Sequence, residues 1–535
     1  AWLWEHTAGP QGIDYQTSAD KAATALWNLS LPPVEPDSLL PRSQLWLDRG
    51  LYYFRTGWPG GLGGDDVVFS FFSGKFHGGH AQEDQNHFTL HAYGKRFAID
   101  HGAGSTAKQS EAHNMVFIDG AGQHNAGSSI GTDGRIAGYL LSGFADYVQG
   151  DATSAYTTYS EFNQADWPFP GFDWSWGYSG SNPVDFALRN VVVVHDTSTP
   201  PYVVIVDDID KDGTPHEYQW RLHTQSSNTV NVSGNPIRIH NPVADMDVHV
   251  LHPDFAAVTA STEPFDNQSQ DPNSTILKLL HNAVNPRFSL LLFPSNAAII
   301  SPAVSRENLL WGFACRLDWG GGLVDVVLGN QTGGTVTWGA DSVQTDASLA
   351  VVRTTGSVVA RHLIVDATQL RHLGVEYVHI FDGPVTCALE DGVIHLDRDD
   401  AAFRIRDTGI DRVVYRDADV PFVRHNGYLY NDDLVAVTNR VVPPQTLEVT
   451  VFPNPFNPTV TVRIDVSKTA HLRVAVYDAA GREVNTLSDR SVGAGRVTLR
   501  WEGTNGHGRP VPSGVYFLKV TADGLTRTKK LTVIK

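Results

Sequence analysis

Sulfur is scarce in this sequence, with two cysteines and two methionines in 535 residues. Cys315 and Cys387 can form at most one disulfide, or stand as two buried thiols, so no disulfide framework holds the fold. No apolar run approaches the roughly 18–20 residues that a membrane-spanning helix requires. There is no Walker loop, no dinucleotide fingerprint and no Gly-x-Ser-x-Gly elbow, which removes the usual phosphate-cradle and serine-hydrolase readings. Positive charge is short as well: 40 Lys and Arg stand against 58 Asp and Glu, a formal net charge of −18. Such a surface repels nucleic acid and anionic lipid. It would also repel an acidic polysaccharide unless a local basic or metal site overrode the average. The first residues, Ala1-Trp2-Leu3-Trp4, carry no Met, basic n-region or apolar h-region. That start fits a processed chain or a fragment.

What is present is a folding composition. Hydrophobic residues make up 41% and aromatics 10%, too much for bulk disorder. With 49 Gly and 29 Pro, turns are frequent, which favours many short strands over long helices. Ser18-Ala19-Asp20 can cap a helix through Ala22, Ala23, Ala25, Leu26 and Leu29, which Pro32-Pro33 then stops. One such helix cannot bury its own apolar stripe and needs a partner. From about residue 45 the pattern turns to strands: 51–55, 67–72 and 87–93, the last with Phe88, Leu90 and Ala92 on one face. Gly94-Lys95 then reads as a hairpin turn into 96–100. Further strands are expected at 191–195, 202–207, 230–232, 237–240, 248–252, 288–293 and 323–328. Their spacing suggests large antiparallel sheets packed face to face.

Val441-Val442-Pro443-Pro444 reads as a linker. Residues 447–535 hold 13 Lys/Arg against 7 Asp/Glu, about +6, which leaves the rest of the chain near −24. This last segment reads as a seven-strand β-sandwich of its own. Its Pro453-Asn454-Pro455-Phe456-Asn457-Pro458 opening, Asp478-Ala479-Ala480-Gly481-Arg482 turn, Ser513-Gly514-Val515-Tyr516-Phe517 strand and basic tail closely resemble the C-terminal sorting domain of type IX secretion substrates. The resemblance implies export to the outside or outer surface of a Gram-negative bacterium, with the type IX machinery as partner. An Ig-like spacer is the plainer alternative.

The densest polar constellation lies at 77–124. Seven of the 22 histidines fall there, at 77, 80, 87, 91, 101, 113 and 124, where an even spread would place about two. Histidine is the usual proton-transfer residue near neutral pH and the commonest metal ligand, so the excess favours a site. The order of the strand Gly79-His80 with Asp84, Phe88 and Leu90, the hairpin ending in Asp100, and Ser110 with His113-Asn114, Val116 and Asp119-Gly120 resembles the heparinase II/III-like polysaccharide lyases. Ala145-Asp146-Tyr147, Arg189-Asn190 and Tyr202–Asp208 continue the likeness. That family pairs an α/α toroid with β-sandwich sheets.

The resemblance therefore implies a mainly β chain. Residues 1–45 are expected as a helical remnant of a truncated toroid, 46–360 as a large antiparallel β-sandwich and 361–442 as an accessory β-domain. Residues 447–535 are the small C-terminal Ig-like sandwich. The implied function is a secreted polysaccharide lyase, or its C-terminal portion, cleaving a uronic-acid-containing polysaccharide by β-elimination. The alternative is a non-catalytic carbohydrate-binding or structural β-sandwich at the cell surface. In the family the Tyr acting as base and acid comes from the toroid, and the sandwich contributes a histidine facing the cleft. His80 matches it, to neutralise charge or shuttle a proton; a hydrogen-bonded structural histidine is the alternative. The family often carries a structural zinc, and its ligand positions fall on Gln82, Asp100 and His113. Gln82 stands where the family has His, and an amide oxygen is a poor zinc ligand, so the metal is weakened, different or replaced by a hydrogen-bonded polar core. His77, Trp174 and Trp176 are candidate substrate contacts, the tryptophans within the aromatic loop 167–178. Asp84 with Glu111 reads better as structural than as a paired acid and base. The run Asp207–Gly213 has calcium-loop composition without EF-hand spacing, and reads as a solvated turn.

Overall fold

The computed structural model describes residues 41–533 apart from 58–65, 76–81, 102–108, 124–131, 158–181, 254–256, 263–270, 272, 310–311, 332, 340–341, 432–446, 453–458, 467–469, 479–480, 493–494, 507–508 and 523–524. The helix expected within 1–45, stopped at Pro32-Pro33, lies outside the described residues. The described end of that segment, after the Pro-rich stop, begins the first strand, Ser43–Trp46. Among the described residues the secondary structure is strand with short 3₁₀ turns, and no helix is long and apolar enough to cross a membrane. They form two compact units. The first runs to Gly329 and adds Ala350–Leu363 and Ala388–Asp391; the second holds Asn330–Leu349, Ile364–Cys387 and the chain from Gly392. The boundary expected at 360 lies inside one strand, Val358–Ala367, which the two units share.

In the first unit, strands β1 (Ser43–Trp46), β2 (Leu51–Arg55), β3 (Val67–Phe72), β4 (His87–Ala92) and β5 (Lys95–Ala98) form an antiparallel meander. Period-two alternation decides which face is inside. Tyr52, Phe54, Phe69, Phe71, Phe88 and Leu90 are all at most 1% exposed. Tyr93 (φ 53) and Gly94 (φ 71) both take the left-handed conformation, the twist-matched two-residue hairpin turn, so the turn lies one residue earlier than expected.

The next strands are β6 (Val116–Ile118), β7 (Arg135–Leu140), β8 (Ala145–Asp151), β9 (Phe186–Val194), β10 (Tyr202–Asp210) and β11 (His216–Thr224). They are followed by β12 (Thr229–Asn231), β13 (Ile237–His240), β14 (Ala244–His252), β15 (Ala257–Thr262), β16 (Thr275–Ala283) and β17 (Ser289–Asn296). Eight of them form one sheet in the order β12-β13-β14-β17-β10-β9-β8-β7, and four form another, β15-β16-β11-β6. The N–H of Ile99 donates to the His223 carbonyl (3.0 Å), tying the end of β5 to β11. One apolar core joins the three sheets, with Phe88 and Trp220 from one side meeting Val191, Val193, Ile205 and Leu290 from the other. Each such side chain, fully buried, contributes about 1.5–3 kcal/mol. The sandwich reading is thus correct.

Within that core lies a charged brace. Arg189 on β9 grips Asp207 on β10 through two bonds (2.7 and 2.9 Å). Its remaining donors reach the carbonyls of Asn86 (2.6 Å) and Asn114 (2.7 Å). Asp207 is therefore no calcium ligand; the turn after it closes on itself, with Asp210 accepting from the Gly213 N–H.

The second unit contains a seven-stranded sheet, strands 375–380 and 403–406 at its middle, and a parallel pair, Val393–Leu396 with Arg412–Tyr415. It also contains residues 447–533 as three strands against four, the seven expected, around Trp501, Leu472, Leu518 and Leu531. Cys315 and Cys387 are both buried free thiols, each pushed up by burial, Cys315 to about 12.

Candidate metal centre and histidine cluster

Alternation in β4 sends Phe88, Leu90 and Ala92 into the core and His87, Thr89 and His91 to the opposite face. His87 is nonetheless buried, because the segment 109–115 folds over it. That segment is a 3₁₀ turn, Ser110–Ala112, ended by His113, whose N–H donates to the Ser110 carbonyl (3.1 Å). The rings of His87 and His113 meet edge to face with centroids 5.2 Å apart. Asp100, two residues past β5, brings Oδ2 to 3.5 Å from His87 Nε2 and 3.9 Å from His113 Nδ1.

Asn114 assembles the three. Its Nδ2 donates to the carbonyls of Phe88 (2.8 Å) and Ile99 (3.2 Å), and its Oδ1 accepts from the His223 N–H (2.7 Å). Its own N–H donates to His87 Nδ1 (2.9 Å), and its carbonyl accepts from Arg189. A fully buried amide with each group paired fixes β4, β5, β11 and the 109–115 segment relative to one another.

A second buried pair adjoins: His101 Nε2 lies 3.1 Å from His223 Nδ1 and 3.1 Å from Ser274 Oγ. Burial drives His87 down to about 3, His101 to about 4 and His223 well below its ordinary value, so all three are neutral. Glu83 is buried against Ser110, accepting from its N–H (3.2 Å), and burial raises its carboxyl to about 8. Asp84 is raised to about 6, by burial first, with His113 opposing and Asp100 adding to the rise.

His87, Asp100 and His113 present ligand atoms all within 4.8 Å of one another. Both ring nitrogens of His113 are fully buried and accept or donate no hydrogen bond, which a coordinated ion would relieve. Imidazole nitrogen beside carboxylate oxygen suits a small divalent cation, so these residues fit one. His87 differs from His113. Its Nδ1 already accepts the Asn114 N–H, so the neutral ring carries its proton on Nε2, aimed at Asp100. That Nε2 makes no hydrogen bond of its own, and the ring could ligate only by losing this proton.

Of the residues singled out in the sequence, Asp100 and His113 come together here. Gln82 is half-buried, its carbonyl accepting from the Thr132 N–H (3.2 Å). His77, His80, Trp174 and Trp176 lie outside the described residues. Glu111 is exposed on the 3₁₀ turn and Asp84 half-buried beside the cluster. His87 and Asn114 were in plain view without an assigned role; one opens β4 and the other lies just before β6, each polar beside an apolar run.

Residues 40–302 match the family model for the heparinase II/III-like C-terminal domain, and residues 456–525 match that for the FlgD Ig-like domain. The whole described cluster lies inside the first match. Among solved structures, the chain is similar to the heparan sulfate lyase HepC from Pedobacter heparinus at 12% identity and a TM-score of 0.41, covering 63% of this chain and 48% of that one. It is also similar to a heparinase III at 13% identity and a TM-score of 0.36, covering 53% and 40%. The chain thus spans about half the length of the first of these. No curated protein matches it.

Proposed function

We propose that this chain is the sandwich-bearing part of a secreted polysaccharide lyase that cleaves a uronic-acid-containing polysaccharide by β-elimination. The observation that carries this reading is the family match over 40–302 with the neutral, Asn114-clamped histidine cluster inside it. In the reaction a base takes the C5 proton, the C4–O bond breaks as the C4–C5 double bond forms, and the departing oxygen is protonated. Neutralising the C6 carboxylate is what makes the C5 proton removable. We assign that part, or a proton relay, to His80, with His77, Trp174 and Trp176 as substrate contacts.

His113 and Asp100 would hold a structural divalent ion, zinc by donor type, with Gln82 as a weak further donor. Bound there, such an ion supplies a cross-link between the end of β5 and the 109–115 segment, and positive charge in an acidic chain. Residues 447–535 serve as the export signal to the cell exterior. A reporter carrying this segment should reach the medium in a type IX-competent bacterium, and retention in the periplasm would remove the export role.

The direct test is incubation of the protein as encoded with alginate, heparan, chondroitin and ulvan, following the ultraviolet absorbance of the unsaturated uronyl product. Product on at least one glycan is expected; none on any of them would overturn the lyase reading. His80→Ala should then lower turnover with the melting temperature unchanged.

A further inference from the structure

The second unit presents a sheet face outside the heparinase-like match. Its strands run in the order 336–338, 343–345, 369–372, 375–380, 403–406, 428–431, 422–425. On one side Leu370, Val378, Ile405 and Leu429 are at most 1% exposed and form core. On the other, the register sets His379, Arg404 and Tyr430 side by side in one row. Beside it Arg371 stands opposite Glu376 and Arg406 opposite Tyr428. Neighbouring strands lie about 4.8 Å apart, so the row of three spans about 10 Å.

A solvent face needs only polar side chains. This one has flat rings and guanidinium forks stacked on each other. Arg404 lies over Phe381 (5.8 Å) and Tyr428 (5.6 Å), Arg406 over Tyr377 (5.7 Å), and the His379 ring sits 4.5 Å from Phe381. Glu376 is the shared counter-charge: Arg404 Nε donates to it (2.7 Å), with His379 at 3.3 Å and Arg371 at 3.9 Å. Among the described residues Arg406 meets no carboxylate within ion-pair distance. Arg371, Arg404 and His379 remain 39%, 34% and 37% exposed. In a chain of net charge −18 this is a locally positive, ring-bearing surface.

We propose that this face binds an anionic polysaccharide, distinct in place from the histidine cluster. Guanidinium forks pair bidentately with carboxylate or sulfate groups, and their stacking on rings holds them ready at low entropic cost. Charge complementarity selects the occupant: a neutral glycan would leave Arg406 and the outer guanidinium donors without partners. The inference rests on the acidic substrate class proposed above and adds a second place where that class is held.

The test is affinity electrophoresis of the intact chain through gels containing heparan sulfate, alginate or neutral dextran. Retardation by at least one acidic glycan, lost at high salt and absent with dextran, is expected. Arg404→Gln with Arg406→Gln should weaken that retardation at least tenfold. Arg406→Gln alone, which breaks no internal ion pair, should weaken it severalfold and stands as the reading if the double variant fails to fold. No acid-specific retardation, or equal retardation of a folded variant, would overturn the proposal, as would stronger retardation by single-stranded DNA. Product formation with unchanged variant retardation removes this face and leaves the lyase; face-dependent retardation without product does the reverse.

Discussion

His113 and His87 touch, yet their chemistry differs because one backbone N–H faces only His87. The Asn114 N–H occupies Nδ1 of His87 and leaves its Nε2–H facing Asp100 at 3.5 Å without a hydrogen bond, while both nitrogens of His113 stay open. In protein purified with zinc, His113→Ala and Asp100→Asn should each lose the bound metal, measured by elemental analysis. His87→Asn keeps an acceptor for that N–H and should lower zinc affinity only about 10–100-fold, as expected when an orienting partner is removed. Total loss in His87→Asn would make it a ligand after all. A second residue-scale expectation concerns Glu83. Its folded carboxyl titrates at about 8 against an ordinary 4.5, so the folded state binds the proton more tightly. That contribution is complete below pH 4.5 and disappears as pH rises through about 8. Glu83→Gln should therefore flatten the decline in stability between those limits and gain relative to wild type at pH 8. Parallel denaturation curves for the two proteins across that range would show the carboxyl to be solvated.

At the scale of elements, the site depends on sheets that share no strand. Arg189 and Asp207 face each other across β9 and β10, and Arg189 carries that sheet's grip to the carbonyls of Asn86 and Asn114, with Asn86 Nδ2 donating back to the Ala187 carbonyl. Truncating Arg189 to Ala leaves Asp207 buried without its counter-charge, which costs about 3–5 kcal/mol when a buried pair is broken from one side. Urea denaturation should show a shift of that size, and a change below 1 kcal/mol would mean that water reaches Asp207. Gly150 on β8 makes a similar point sterically. A Cβ there would lie 2.2 Å from Asn86 Oδ1 and 2.6 Å from Phe71 Cζ, so the strand passes directly beneath the turn that carries the site.

For the whole molecule, the core of 447–533 closes upon itself: among the described residues its buried side chains, from Val449 through Trp501 to Val533, form one cluster drawn from the module. Expressed alone, residues 447–535 should fold, with dispersed amide resonances and one cooperative melt; a collapsed spectrum would show that the module needs the rest of the chain. Its basic surplus of about +6 beside a remainder near −24 also makes the overall −18 a poor guide to either part. The same holds within the acidic part, where Arg371, Arg404 and Arg406 gather on one sheet face.

The sequence by itself determined the strands, since alternation of Phe88, Leu90 and Ala92 against polar neighbours has one burial solution. It determined the seven-strand terminal module, and resemblance to a family marked Asp100 and His113. Tertiary structure decided the rest. Whether Cys315 and Cys387 join depends on distances that composition does not carry. His87 sits on the outward face of β4 and is buried only because a segment about 25 residues later folds over it. Its tautomer is set by that segment's backbone N–H. The Arg404 face emerges only when strands far apart in the chain are put in register. Local patterns fix which side of a strand is apolar; which polar groups meet on the other side is fixed by long-range pairing, and there the chemistry of this protein resides.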